Sequence, residues 1–161
     1  MRGSAEFSEC GLYRYMLTRE WADLLASQRC VFVLLNPSTA DAEKDDPTIR
    51  RCVGYARQWG FGSLAVLNIF AYRSTDPTNL LLMGDPVGPK NREFFVRTLG
   101  SVPLPFVVCA WGRWGYYRDQ GRQALGWIKK CGCEPMALQV NKDGQPGHPL
   151  YLRKDLVPKP L

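Results

Sequence analysis

Cys30-Val31-Phe32-Val33-Leu34-Leu35, followed at once by Asn36-Pro37-Ser38-Thr39, is the stretch on which the fold turns. The apolar run has no polar alternation. That is the pattern of a strand covered on both faces, and such strands belong to parallel sheets. Two further runs read the same way: Leu64 to Phe70 (LAVLNIF) and Phe106 to Trp111 (FVVCAW). Between the first two, Asp46-Pro47 is a helix start, with Asp as N-cap and Pro at the first helical position. Ile49, Cys52, Val53 and Ala56 recur at helical spacing and Gly60 supplies the stop, so a helix is expected over Pro47 to Trp59.

Working outward, helices are expected over Asn91 to Leu99, with Phe94, Phe95 and Leu99 inward, and over Tyr116 to Lys130. Met136 to Val140 reads as a fourth short strand. Strand and helix alternate, which predicts an α/β fold: a three-layer, doubly wound sheet of about four parallel strands flanked by helices. The remaining segments read more weakly. Met1 to Ser8 is expected to be a loose leader, Leu12 to Leu17 an edge strand, Glu20 to Ala26 a brief helix and Tyr72 to Pro89 a long loop. A single domain is expected over residues 9–156, with residues 157–161 frayed.

The 161 residues fit one domain, with 45% hydrophobic and 22% charged residues as in ordinary globular chains. Lys and Arg exceed Asp and Glu by 21 to 15, a net charge of +6. This surplus mildly favours a polyanionic partner, although a plain basic surface reads the same. The six cysteines make no zinc pattern and no signal peptide opens the chain, so buried thiols in a cytoplasmic protein are expected. No apolar run has the length of a membrane span, so no membrane partner is expected. Walker, dinucleotide-binding and nucleophile-elbow motifs are all missing.

In open α/β sheets ligands bind outside the carboxyl ends of the strands. Those ends carry Asn36-Pro37-Ser38, then Asn68 followed by Tyr72-Arg73, then Trp111-Gly112-Arg113, and finally the loop with His148. Asn36 reads either as a turn-former or as a ligand group. Asn68 sits inside an apolar strand, where an amide without partners costs about 1–3 kcal/mol. It either bonds to neighbouring backbone or reads a ligand edge, since one carboxamide both donates and accepts. His148 is the only histidine. The loop holding Asp41, Glu43, Asp45 and Asp46 is either solvated, with Asp46 as cap, or a metal or water site.

The strings LLNPSTADA, DDPTIRR, LNIFAYRSTDP, PVGPKN and GHPLYL resemble a bacterial and phage domain family of unknown function, DUF1643. That likeness runs from about Tyr13 to Leu152 and implies no activity. More distantly, the chain resembles the uracil-DNA glycosylase superfamily in the order of its motifs. Leu35-Asn36-Pro37 looks like their catalytic first loop, Leu67-Asn68-Ile69 like their base-reading strand, Trp111-Gly112 like the end of their third strand and His148-Pro149 like their last loop. Leu150 stands where those enzymes carry Ser, and Leu152 has the spacing of their duplex wedge.

The resemblance implies an N-glycosidase acting on a nucleobase in DNA or in a nucleotide, with no cofactor. Asn36 would position water and His148 would stabilise the leaving base, while Pro37, Ser38, Asn68, Tyr72, Trp111 and Gly112 would line the base site. Arg73, Leu152, Arg153 and Lys154 would contact the nucleic acid. A neutral histidine suits a departing base that carries negative charge, and the target base must leave its stack. Two rivals stay open: a binding module that holds nucleic acid or nucleotide without cutting it, and a metal-assisted hydrolase using the loop from Asp41 to Asp46.

Overall fold

The computed structural model describes residues 1–22 and 28–161. Its strands are β1 (Arg2–Phe7), β2 (Arg14–Glu20), β3 (Cys30–Leu34), β4 (Ser63–Asn68), β5 (Phe106–Cys109), β6 (Pro135–Ala137) and β7 (Lys159–Pro160). The α-helices are α1 (Pro47–Gln58), α2 (Asn91–Leu99) and α3 (Gln120–Lys130). Short 3-10 turns occupy Pro77–Leu82, Arg113–Asp119 and Pro149–Tyr151.

One seven-stranded mixed sheet has the order β1-β2-β4-β3-β5-β6-β7. Its four middle strands, β4, β3, β5 and β6, are mutually parallel. Every residue of β3 and β4 is buried. Successive side chains on a strand face opposite ways, and the core divides accordingly. Val31, Val33, Leu67 and Val107 pack with Phe94, Phe95 and Leu99 of α2 and Ala124 and Ile128 of α3. Phe32, Leu34, Val66 and Val108 pack with Ile49, Cys52 and Ala56 of α1. Helices therefore cover both faces, and the α/β reading of the apolar runs holds.

The boundaries of α1 follow from its caps. Asp46 accepts a hydrogen bond from the Ile49 amide at 2.9 Å. At the other end Gly60 takes a φ of 86°. The Gly60 amide bonds to the Arg57 carbonyl and the Phe61 amide to the Ala56 carbonyl, the paired closure that a left-handed glycine permits.

The sheet is not purely parallel, because three strands at its margins run antiparallel to their neighbours. Residues 2–7, expected as a loose leader, form β1 and pair with β2. Strand β2 is therefore an inner strand between β1 and β4, not an edge. It hides Arg14 and Arg19 among Tyr15 and Leu17, and buried charges defeat an alternation reading. Lys159 and Pro160, expected to fray, pair with Ala137 and Met136. The helix expected from Tyr116 starts only at Gln120, because Arg118 and Asp119 adopt left-handed φ of 53° and 56°. The helix expected over Glu20 to Ala26 falls mostly on residues 23–27, outside the described residues, and Glu20 itself ends β2.

All six cysteines are free thiols. Burial pushes Cys30, Cys52 and Cys109 well above the ordinary thiol range. Among the described residues no helix is long and apolar enough to cross a membrane.

Candidate functional site

A cavity of about 660 Å³ lies beyond the carboxyl ends of β3 and β5, against the start of α1. Leu35, Asn36, Ser38 and Thr39 line it from the loop after β3, and Asp46, Pro47 and Thr48 from the head of α1. Ser74, Thr75 and Pro77 come from the segment after β4, Trp111 to Trp114 from the segment after β5, and Gly147, His148 and Leu150 to Leu152 from the last loop. Parallel strands end on one rim, so segments far apart in sequence meet there.

Asn36 is held by its own amide. Its Nδ2 donates to the Ser74 carbonyl at 2.9 Å and to the Pro37 carbonyl at 3.2 Å. Both donor positions face backbone, so the hydrogen-bonding group that Asn36 keeps to spare is its Oδ1 acceptor. Pro37 contributes through its carbonyl, which also accepts from the Ser74 amide.

His148 is held in one tautomer. Its Nδ1 accepts from the Leu150 amide at 3.3 Å, so in the neutral ring the proton sits on Nε2. Burial pulls its pKa down to about 4, against the opposing influence of Asp46, so the imidazole is uncharged at neutral pH. Gly112 ties this loop to the end of β5. Its φ of 75° belongs to glycine, and its amide donates to the Pro146 carbonyl at 2.8 Å. Trp111 is fixed through an indole bond to Gln145 at 2.8 Å.

Asn68 is not part of this cavity. It is 1% exposed and lies below the rim. Its Oδ1 accepts from Arg14 at 3.4 Å, and its backbone carbonyl accepts from the Asn91 side chain at 2.8 Å. Tyr72 and Arg73 border a separate hollow beside the cavity. Tyr72 packs edge-on against Tyr13, and the Arg73 guanidinium lies 4.7 Å above the Phe7 ring. Leu152 lines the cavity but packs into the α1 side of the core, whereas its neighbour Tyr151 is 85% exposed at the rim. Arg153 is paired with Asp155 at 2.6 Å. Lys154 lies on the far side of Leu150, with Arg50 and Arg51.

The acidic loop is divided among three tasks. Asp41 accepts from the amides of Glu43 and Lys44, which holds its carboxyl below the usual range. Asp45 pairs with the buried Arg19 at 2.8 Å. Asp46 caps α1. Among the described residues no three His, Cys, Asp or Glu side chains gather as a metal cluster.

Sequence reading missed Ser74, Thr75, Trp114 and Tyr151. The first two directly follow Tyr72-Arg73, and Trp114 lies three residues past Trp111, so reading each loop to its end would have found them.

A family model described as "Protein of unknown function (DUF1643)" matches residues 14–150. The chain belongs to that family. The DUF1643 match begins at β2 and reaches into the last loop, so it takes in every cavity segment except Tyr151 and Leu152. No curated protein and no solved structure matches the chain.

Proposed function

We propose that this DUF1643 protein is an N-glycosidase that holds a nucleobase in the cavity and hydrolyses the bond joining it to its sugar. The observation that carries the reading is His148: a neutral imidazole, fixed with its proton on Nε2, in the wall of a cavity it shares with Asn36. As the C1′–N bond breaks, its electron pair moves onto the base, and the Nε2–H stabilises the charge that develops there. The sugar carbon becomes cationic, as in other glycoside hydrolyses. A water whose hydrogen is accepted by Asn36 Oδ1 then bonds to C1′ and releases a proton to solvent.

The order of Asn-Pro, Leu-Asn-Ile, Trp-Gly and His-Pro along the chain supports a uracil-DNA glycosylase-like fold and active site. The placement of Asn68 argues for one revision. Base recognition falls to the walls of the cavity, where Trp114 offers an aromatic face, and not to Asn68 or Tyr72. At the rim, Tyr151 replaces Leu152 as the side chain available to a strand.

The test is release of free base from single- and double-stranded oligonucleotides carrying uracil and other altered bases, and from free nucleosides and nucleotides. Base release that falls to background in His148→Ala is the expected result. An intact protein that releases nothing across the panel removes the glycosidase reading. A second reading has its own support: Asn36 is an amide and takes no proton, so the same pocket suits retention of a nucleotide without turnover. Saturable binding without base release would favour it.

A further inference from the structure

Beside the cavity, a groove of about 440 Å³ runs along the outer face of α1. Arg50, Arg51 and Lys154 line it, and no aspartate or glutamate does. The two guanidinium groups are fixed by backbone carbonyls. Arg50 donates to the Asp45 carbonyl at 2.8 Å, and Arg51 donates to the Leu152 carbonyl at 2.7 Å. A carbonyl orients a guanidinium without neutralising it, and each arginine keeps donors to spare. Of the nearby carboxylates, Asp45 is paired with Arg19 and Asp155 with Arg153, while Asp46 caps α1 and lines the cavity rather than the groove. The floor is bare because residue 54 is glycine, and a Cβ there would meet nothing within 4 Å.

We propose that Arg50, Arg51 and Lys154 form a phosphate site, and that the molecule in the neighbouring cavity is a phosphorylated nucleoside, not a free base or nucleoside. Pro47 and Leu150 border both hollows, so the two adjoin along a shared edge across which one ligand can reach both. Arg51 ties the two together, since the carbonyl it binds belongs to the loop that carries His148. Three cations in a groove lined by no carboxylate suit a phosphate monoester or diester, with a guanidinium giving paired hydrogen bonds and the ammonium a point charge. The site itself rests on the groove alone. Only the identity of the group attached to the phosphate rests on the nucleobase reading.

The experiment measures the affinity of thymidine, thymidine 5′-monophosphate and a single-stranded thymidylate oligonucleotide for the protein and for the double variant Arg50→Ala/Lys154→Ala. Both side chains are exposed, so the variant is expected to fold, and Lys154→Glu serves as a second probe. Arg51 is left in place because it supports the loop. The expected result is that at least one phosphate-bearing probe binds about tenfold more weakly to each variant, as loss of charged hydrogen bonds requires. Thymidine affinity stays unchanged. A loss confined to the monophosphate identifies a free nucleotide. A loss confined to the oligonucleotide, with a flatter salt dependence, identifies a strand. Equal affinity of wild type and variants for both phosphate probes, or failure of both to bind wild type, overturns the phosphate site. If thymidine binds but the phosphate probes ignore the substitutions, the phosphate site fails and the cavity reading stands. If a phosphate probe loses affinity in the variants but deoxyribose 5-phosphate binds wild type as tightly as thymidine 5′-monophosphate, the phosphate site stands and the cavity reading fails.

Discussion

Asn36 and Asn68 each follow a leucine at the carboxyl end of a buried parallel strand, yet one borders an open cavity and the other is sealed. Strand register explains the difference. Asn68 sits level with Leu34 in the β3–β4 ladder, so Asn36 lies two residues, about 7 Å, further out. That step takes Asn36 past the last paired residue, into a loop that Ser74 and Pro37 hold in shape. Asn68 stays between Arg14 of β2 and Asn91 at the start of α2. Burial lowers the Arg14 pKa to about 10, which leaves it charged at neutral pH. Its cation is answered by the Ala40 carbonyl and Asn68 Oδ1. A polar residue in an apolar run is therefore open to a cavity or sealed in the core according to where the ladder ends, and not according to its immediate neighbours.

The contrast can be broken most directly at the rim. His148→Ala is expected to lower base release by roughly a hundred- to a thousandfold, the usual effect of removing one charge-stabilising donor. Its urea midpoint should move little, and steady-state release alongside equilibrium unfolding checks both. The sealed amide should behave in the opposite way. Asn68→Ala is expected to cost about 1–3 kcal/mol of stability, because it strips Arg14 of an acceptor. Ligand affinity measured below the unfolding transition should remain near wild type. A variant that stays stable but loses ligand would return Asn68 to the site.

A third comparison uses pH. The folded pKa of His148 lies near 4, below its ordinary value of 6.5. Between those values the unfolded chain binds the extra proton, so stability falls as pH drops from about 6.5 toward 4. The slope is at most about 1.4 kcal/mol per pH unit. Repeating the urea curves with His148→Gln should flatten this window. The smallest effect is expected from Asn36→Ala, at about 0.5–1.5 kcal/mol of stability for the bond to Ser74, with base release reduced more than stability.

The parts of the fold that were legible in the sequence have local causes. Apolar runs marked β3, β4 and β5, with Asn68 the one polar residue among them, and Asp46-Pro47 with Gly60 marked α1 to within a residue. The parts that were not legible depend on distant partners. Strand β2 hides Arg14 and Arg19, whose acceptors are Ala40, Asn68 and the loop at Asp41 to Asp45. Read without them, both residues look like surface. Strand β1 follows the same logic, since Arg2, Ser4 and Glu6 pair only because β2 lies beside them. At the cavity, the strand-end rule brought together Asn36, Trp111, Gly112 and His148, which line it, but gave no depth. That is why it set Asn68 beside them, although Asn68 is sealed below the rim.

The margins of the sheet also set how the protein meets other β-structure. On one side the outermost strand is two residues long and includes Pro160, which has no N–H to offer an incoming chain. On the other, Arg2–Phe7 presents a longer ladder, but Arg2 and Glu6 project from it and already engage Glu20 and Arg97. Fibril-like stacking thus finds no foothold at one end and a charged one at the other, so crowding or heat must first strip away a margin before the apolar middle strands can recruit a neighbour.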